Sequence, residues 1–120
     1  MTHKTIFLIS VISIALVGCQ PPSNYYWGNY SYSLYAYKKA PDEKTLLNHK
    51  NSLYDIISSS QLYGKQIPPG IYGELGYILL KEGKRQDGIN YLQKEMQLFP
   101  ESRILLNKII EHYNSVRKGE

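Results

Sequence analysis

The chain contains a single cysteine, Cys19, so no disulfide can form within it. It also lacks a long hydrophobic run, because the apolar stretch at residues 6–17 is too short to span the roughly 30 Å hydrocarbon core of a bilayer. Its 120 residues are enough for one small domain and too few for two. Without cross-links, the stability of that domain must come from helix packing, from a partner, or from both.

Concentrated charge and strand-like patterns are missing as well. The 14 basic and 10 acidic side chains give a net charge of +4 and are scattered along the sequence. Nucleic-acid binding needs a basic patch or stripe, so we do not predict it. No run of alternating polar and apolar residues bounded by turn signals argues for a sheet. These absences favour an all-α fold.

Residues in catalytic or metal-binding spacing are scarce. His49 and His112 each lack a second histidine four residues away, the spacing at which two helical histidines share a metal ion. Serines at positions 58–60 follow Asp55, but Asp55 and His49 lie about 120° apart around a helix, which argues against a hydrolytic triad. We predict no metal site, no small-molecule substrate and no enzymatic activity.

Three glycines, Gly70, Gly73 and Gly76, recur every third residue at a predicted helix start. A phosphate-binding loop would need a lysine followed by serine or threonine, and a dinucleotide fingerprint would need different spacing after a strand. We therefore interpret the glycines as packing positions and predict no cofactor.

The first residues carry a processing signal. Two basic residues at positions 3 and 4 precede the apolar run, which closes on Leu16-Val17-Gly18-Cys19. These four residues resemble the lipobox of bacterial lipoproteins. The resemblance implies that residues 1–18 are a signal peptide and that Cys19 receives a diacylglycerol and then an amide-linked acyl chain such as palmitate. At about 0.8 kcal/mol per buried methylene, three chains form a nearly permanent anchor.

Gln20, and not aspartate, follows the cysteine, which in the enteric sorting pattern implies export to the outer membrane. Within that membrane we favour the periplasmic face over the cell surface. Residues 19–29 are rich in Pro, Ser, Asn, Tyr and Gly without apolar periodicity, which predicts a short acylated tether. The helical domain is predicted over residues 30–120.

Five helices are predicted in that domain. The first ends near Ala40, the second runs from 41–43 to about 60, and the others cover 71–82, 85–98 and 102–116. Gly64 is expected in a left-handed cap. The apolar spacing assigns core faces to the first, second and fifth helices: Trp27, Tyr30, Leu34 and Tyr37; Leu46, Lys50, Leu53 and Ile57; and Leu105, Ile109, Tyr113 and Val116.

Residues 69–102 resemble one tetratricopeptide repeat, whose period is about 34 residues. The matching positions are Tyr72, Leu75, Gly76, Leu79, Gly88, Leu92 and Pro100. Glu95 stands where the repeat usually has alanine, and no second full repeat is found. The resemblance implies antiparallel helix hairpins whose inner helices line a concave groove. Transferring the groove positions selects Gly70, Gly73, Tyr77, Leu80 and Lys81 as partner-binding candidates.

The chain beyond the signal segment also resembles a family of small bacterial lipoproteins with a domain of unknown function. The stretches that carry the resemblance are Tyr26-Trp27-Gly28-Asn29-Tyr30, Leu34-Tyr35-Ala36-Tyr37-Lys38-Lys39, Ile67-Pro68-Pro69-Gly70, Glu74-Leu75-Gly76-Tyr77 and Phe99-Pro100-Glu101-Ser102. Members tend to be encoded beside a lipoprotein similar to the curli-secretion channel. The resemblance implies work in an outer-membrane assembly with other envelope lipoproteins.

An aromatic segment follows the cysteine, and four of its residues flank the predicted core positions: Tyr25, Tyr26, Tyr32 and Tyr35. A tyrosine has a flat apolar face and a polar tip, so these side chains suit contact with a protein partner, the lipid interface or a saccharide, or plain exposure. With Trp27, they leave two functional hypotheses open. The first is a non-catalytic adaptor in an envelope complex, and the alternative is a module that binds glycan or peptidoglycan.

Overall fold

Five helices follow one another along the part of the chain that the computed structural model describes, residues 23–116. They are α1 (Tyr30–Lys39), α2 (Glu43–Leu62), α3 (Ile71–Lys81), α4 (Arg85–Leu98) and α5 (Arg103–Val116), with a short 3-10 turn (Pro100–Ser102) before α5. No strand occurs in this part, only an isolated parallel bridge between Tyr25 and Gln66. The predicted all-α array of five helices is confirmed. The predicted signal peptide and Cys19 lie outside the described residues.

Local signals set the helix ends where the sequence predicted them. Asp42 caps α2: its side chain accepts from the Thr45 backbone N–H at 2.8 Å, and the Thr45 hydroxyl accepts from the Asp42 N–H at 3.1 Å. This hydrogen bond from the Thr45 N–H lowers the pKa of Asp42. Beyond α2, Gly64 adopts the predicted left-handed conformation with φ of 61°.

The α3 and α4 backbones touch each other. A Cβ atom added to Gly76 would lie 2.8 Å from the Gly88 carbonyl oxygen, and one added to Gly88 would lie 2.8 Å from the Gly76 carbonyl oxygen. Both distances are far below normal contact, so only glycine fits at either position. Leu75 and Leu92 are fully buried in the same hairpin. The predicted packing of these glycines and leucines is confirmed.

Helix α3 occupies the centre of the molecule, since seven of its eleven residues are buried. It contributes to two apolar clusters. The first joins it to α2 and contains Leu53, Ile56, Ile71, Leu75, Ile78 and Leu79. The second joins it to α4 and α5 and contains Leu80, Leu92 and Leu106. Helix α3 therefore connects the two apolar clusters of the domain.

Two predicted core faces are correct only in part. In α5, Ile109 and Tyr113 pack against the second apolar cluster as predicted. In α5 the buried side chain is Leu106, while Leu105 is 63% exposed. The sequence offers two adjacent apolar stripes there, and periodicity alone could not choose between them. The guanidinium of Arg85 donates to the Tyr113 carbonyl at 3.0 Å and to the Asn114 side chain, which connects the start of α4 to the end of α5. Val116, also predicted in the core, is exposed.

In α2 the buried face carries His49, Ser52, Leu53, Ile56 and Ser60, so it is more polar than predicted. Lys50 is not part of this face, and its ammonium pairs with Glu82 instead. Leu53 of the predicted face and Ile56 beside it are buried, and Leu46 and Ile57 pack against the first apolar cluster, whereas the three polar side chains were not predicted as core residues. His49 is hydrogen-bonded, but the buried hydroxyls of Ser52 and Ser60 have no partner among the described residues.

The N-terminal segment 23–29 lies against the domain. The Gln66 N–H donates to the Asn24 carbonyl at 2.9 Å, and the Lys65 ammonium donates to the Ser23 carbonyl at 2.9 Å. Tyr26 packs against the first apolar cluster. Residues 23–29 therefore do not form the free tether that was predicted for 19–29. Trp27, predicted in the core, is 42% exposed because it precedes α1.

Among the described residues, none of the helices is both long and apolar enough to cross a membrane.

Candidate functional site

A groove runs across α1, α3 and α5. Its larger part, a cavity of about 490 Å³, is lined by α1 and α3 with a contribution from α2, and its smaller part, of about 280 Å³, lies between α3 and α5. Tyr77 lines both parts and so stands in the middle. We call this surface the lysine groove, and the residues that define it are Leu34, Tyr37, Lys38, Tyr77, Ile78, Lys81, Lys108, Ile109, His112 and Tyr113.

Tyr77 and Lys81 form a preorganised pair at the centre of the lysine groove. They lie one helical turn apart on α3, and the Lys81 ammonium sits 5.5 Å from the centroid of the Tyr77 ring. Tyr77 is 43% exposed, so part of its side chain packs against the protein and part is accessible to a ligand. An amphipathic ring beside a cation is a combination that binding surfaces favour.

The charge of the lysine groove is positive. Lys38, Lys81 and Lys108 form no ion pair with any described residue. The two acids that also line it are already engaged. Glu74 accepts from His49 and from Tyr30, each at 2.9 Å. Glu82 accepts from Lys50, which is the main reason that the pKa of Glu82 is lowered.

Two of the predicted partner-binding residues, Gly70 and Gly73, already use their backbone N–H groups in hydrogen bonds within the protein. The buried carboxylate of Glu95 accepts from the Gly70 N–H at 2.6 Å and from the Gly73 N–H at 3.1 Å. A carboxylate at this helix start satisfies free N–H groups and complements the helix dipole. These glycines therefore do not offer their N–H groups to a ligand. The departure from alanine at position 95 was the sequence signal for this contact.

A third predicted residue, Leu80, is also unavailable. Its side chain is only 4% exposed and belongs to the second apolar cluster with Leu92 and Leu106. Leu80 was assigned to the groove by transfer of repeat positions, but α5 covers it. Of the five predicted partner-binding residues, the structure thus leaves Tyr77 and Lys81 with side chains on the accessible surface.

A polar network that the sequence did not predict joins three helices. The Ser33 hydroxyl and His49 Nδ1 are 2.8 Å apart, and His49 Nε2 and Glu74 Oε1 are 2.9 Å apart. Tyr37 stacks on the His49 ring, with a 6.2 Å separation of centroids. Burial and then the hydrogen bond to Glu74 raise the pKa of Tyr30 to about 12. Each partner comes from a different helix, so no local spacing pointed to the network.

Ser33, His49 and Glu74 are the residue types of a hydrolytic triad, and here they connect three helices. Ser33 is only 4% exposed, and its hydroxyl also donates to the Tyr30 carbonyl within the same helix at 3.0 Å. The network attaches α1 to α2 and α3. Within residues 23–116, no three His, Cys, Asp or Glu side chains converge as a metal site would require.

The aromatic segment is divided between the interior and the surface. Tyr26 packs inward, and its ring lies 5.6 Å from that of Tyr63. Tyr25 forms an edge contact with Trp27 at 6.5 Å. Tyr32 and Tyr35 point outward and are well exposed. The segment is therefore not one binding surface, and only its outward members are free to contact a ligand.

Comparison with known proteins places the chain in a family. The family described as Domain of unknown function (DUF4810) matches residues 24–109. The chain belongs to this family. No curated protein and no solved structure matches it. The DUF4810 match begins in the docked N-terminal segment, and it contains the central pair Tyr77 and Lys81 together with the residues of the polar network.

Proposed function

We propose that the protein is a lipid-anchored, non-catalytic adaptor of the bacterial cell envelope, and that its lysine groove binds an extended acidic segment of a partner protein. The observation that carries this proposal is the charge balance of the groove. Three lysines there lack an ionic partner among the described residues, whereas Glu74 and Glu82 are each held by two other side chains. A segment with carboxylates would complete the charges.

The shape of the lysine groove also supports an extended segment. Its two cavities are both lined by Tyr77 and follow one another across three helices, so they suit a chain that lies along the surface. Tyr77 at the junction provides the aromatic anchor that such an interface needs. The resemblance to a tetratricopeptide repeat fits this arrangement, because α1, α3 and α5 correspond to inner helices. The backbone contact between Gly76 and Gly88 is compatible with it as well.

The proposed anchor is Cys19, and the proposed site is the outer membrane, as Gln20 indicates. The partner would then be another envelope lipoprotein, such as one similar to the curli-secretion channel. A Cys19→Ser variant should accumulate as an uncleaved precursor without acyl mass, because serine provides no thiolate for lipid transfer. Intact-protein mass measurement checks this. Acyl mass on the variant, or its absence from the wild type, would contradict the proposed anchor.

The lysine groove is tested with a double variant and a closely matched control. Tyr77→Ala with Lys81→Glu removes the central pair. Tyr35→Ala with Lys39→Glu removes a tyrosine and lysine with the same spacing on α1, where the ammonium lies 6.0 Å from the ring centroid. Both variants lose one ring and reverse one charge on the surface of a helix, so differences in folding should be small.

We expect the Tyr77 and Lys81 variant to lose co-purification with its envelope partner from detergent extracts, while the control retains it. Helical circular dichroism and the melting temperature should stay near wild type for both. Retained binding by the Tyr77 and Lys81 variant would contradict the proposed groove. Loss of binding by the control alone would move the site to the aromatic segment.

A further inference from the structure

A second cavity, of about 530 Å³, lies between α1 and α2 and shares no lining residue with the lysine groove. We call it the asparagine groove and define it by Asn29, Tyr32, Asn48, Asn51, Ser52 and Asp55. The α2 members recur at i, i+3, i+4 and i+7, so they form one polar stripe along the helix. Asn29 and Tyr32 lie across from this stripe at the beginning of α1.

The asparagine and serine side chains of the asparagine groove have unused hydrogen-bonding capacity, whereas the Asp55 carboxylate already accepts from the Ser59 hydroxyl at 3.2 Å and from the Tyr26 hydroxyl at 3.5 Å. None of the amide groups of Asn29, Asn48 and Asn51 forms a side-chain hydrogen bond with another described residue, unlike the amides of Gln86 and Asn90, which bond to each other. Ser52 is only 8% exposed, and its buried hydroxyl has no partner in the described part of the chain. A buried hydroxyl without a partner is unfavourable, which points to a group supplied from outside the chain.

The chemistry of the lining restricts what that group can be. The cavity has no lysine or arginine, so it is not suited to a phosphate or a carboxylate. It has a single carboxylate, Asp55, which is too few for a metal ion. Amides and hydroxyls both donate and accept hydrogen bonds, as sugar hydroxyls do. The exposed ring of Tyr32 adds a flat apolar surface, which matches the C–H face of a pyranose.

We propose that the asparagine groove binds a neutral saccharide, whose hydroxyls pair with Asn48 and Asn51 while one sugar face lies on Tyr32. Of these contacts, the amides orient the sugar and the tyrosine supplies the apolar area. The site is separate from the lysine groove, so a saccharide and a protein segment can be bound together. The proposal does not depend on the adaptor role.

The test uses the full-length chain in mild detergent, titrated calorimetrically with neutral trisaccharides of glucose and of N-acetylglucosamine. Retention on isolated peptidoglycan sacculi is measured in parallel, which distinguishes cell-wall glycan from free oligosaccharide. Asn51→Leu and Tyr32→Ala alter the asparagine groove at exposed positions. Asn107→Leu is the matched control, because Asn107 is an exposed asparagine on α5 outside this groove.

We expect saturable binding of at least one of these glycans by the wild type. Asn51→Leu and Tyr32→Ala should each weaken it about tenfold, the effect of losing one or two hydrogen bonds or one stacked ring, with unchanged melting temperatures. Asn107→Leu should bind like the wild type. Absence of binding to every glycan, or equal affinities of wild type and both groove variants, would overturn the proposal.

Discussion

The α3–α4 hairpin is joined by direct contact between two backbones, whereas α1 is joined to its neighbours by hydrogen bonds between side chains. The first arrangement requires Gly76 and Gly88 and buries most of α3. In the second, Ser33 is the sole buried residue of α1, and it bonds to His49. A region with few buried apolar contacts opens at a lower free energy than the core. The comparison thus predicts a firm centre at α3–α4 and an α1 that opens more readily.

The largest expected effect concerns the firm centre. Leu92→Ala should lower the free energy of unfolding by about 2 to 5 kcal/mol, because it leaves a cavity beside Leu80 and Leu106. The matched control is Leu105→Ala, which changes an exposed leucine and should cost less than about 0.5 kcal/mol. Urea unfolding of both variants measures the difference. Equal costs would show that the observed register of α5 is wrong.

The backbone contact itself is tested by one substitution at two glycines of α3. Gly76→Ala should destabilise by about 1 to 3 kcal/mol, since its Cβ would lie 2.8 Å from the Gly88 carbonyl oxygen. Gly73→Ala places its Cβ at an ordinary 3.4 Å from Glu95, so it should be neutral or stabilise the helix by up to about 1 kcal/mol. Thermal melts compare them. A stabilised Gly76→Ala variant would contradict the close approach.

A smaller effect is expected at the network that attaches α1. His49→Leu should cost about 1 kcal/mol through lost hydrogen bonds, and it should speed amide hydrogen exchange in α1 more than in α3. His112→Leu, at an exposed histidine of α5, is the control and should leave both measurements unchanged. If His49→Leu sped amide hydrogen exchange equally in α1 and α3, the proposed difference in local stability between the two regions would be wrong.

The smallest expected effect is a change in stability at alkaline pH, and it involves Tyr30. Its pKa is raised from 10.0 to about 12 in the folded protein, so the neutral phenol favours folding. This contribution is complete below pH 10 and is lost as the pH rises towards 12. Its size is modest because the side chain is only partly buried. Tyr30→Phe should therefore show a shallower decline of unfolding free energy over that range, measured by urea titration. Parallel declines would exclude the linkage.

The same contrast explains what the sequence could predict. The α3–α4 hairpin carries glycines, leucines and a terminal proline at repeat spacing, and the predicted bounds of α4 agree with Arg85–Leu98. The register of α5 could not be chosen, because Leu105 and Leu106 are adjacent. The contact of His49 with Ser33 and Glu74 spans 16 and 25 residues of sequence, so it depends on the tertiary arrangement of three helices.

The candidate sites show a similar division. Tyr77 and Lys81 were predicted by transfer of the repeat's groove positions, and the structure keeps both side chains accessible. Leu80, between them in the sequence, was misplaced because its burial depends on where α5 packs. The asparagine groove was missed for a related reason. Its lining residues come from two helices, so their proximity depends on how α1 packs against α2.

The docked N-terminal segment fixes how far the domain can stand from its proposed anchor. Four steps along the chain separate Cys19 from Ser23, whose carbonyl is held by Lys65. A fully extended chain advances at most about 3.5 Å per residue, so the linker from Cys19 to Ser23 is no longer than roughly 14 Å. With Cys19 acylated as proposed, the domain would search for partners by lateral diffusion in two dimensions. It would meet proteins embedded in or attached to the same leaflet far more often than proteins free in solution.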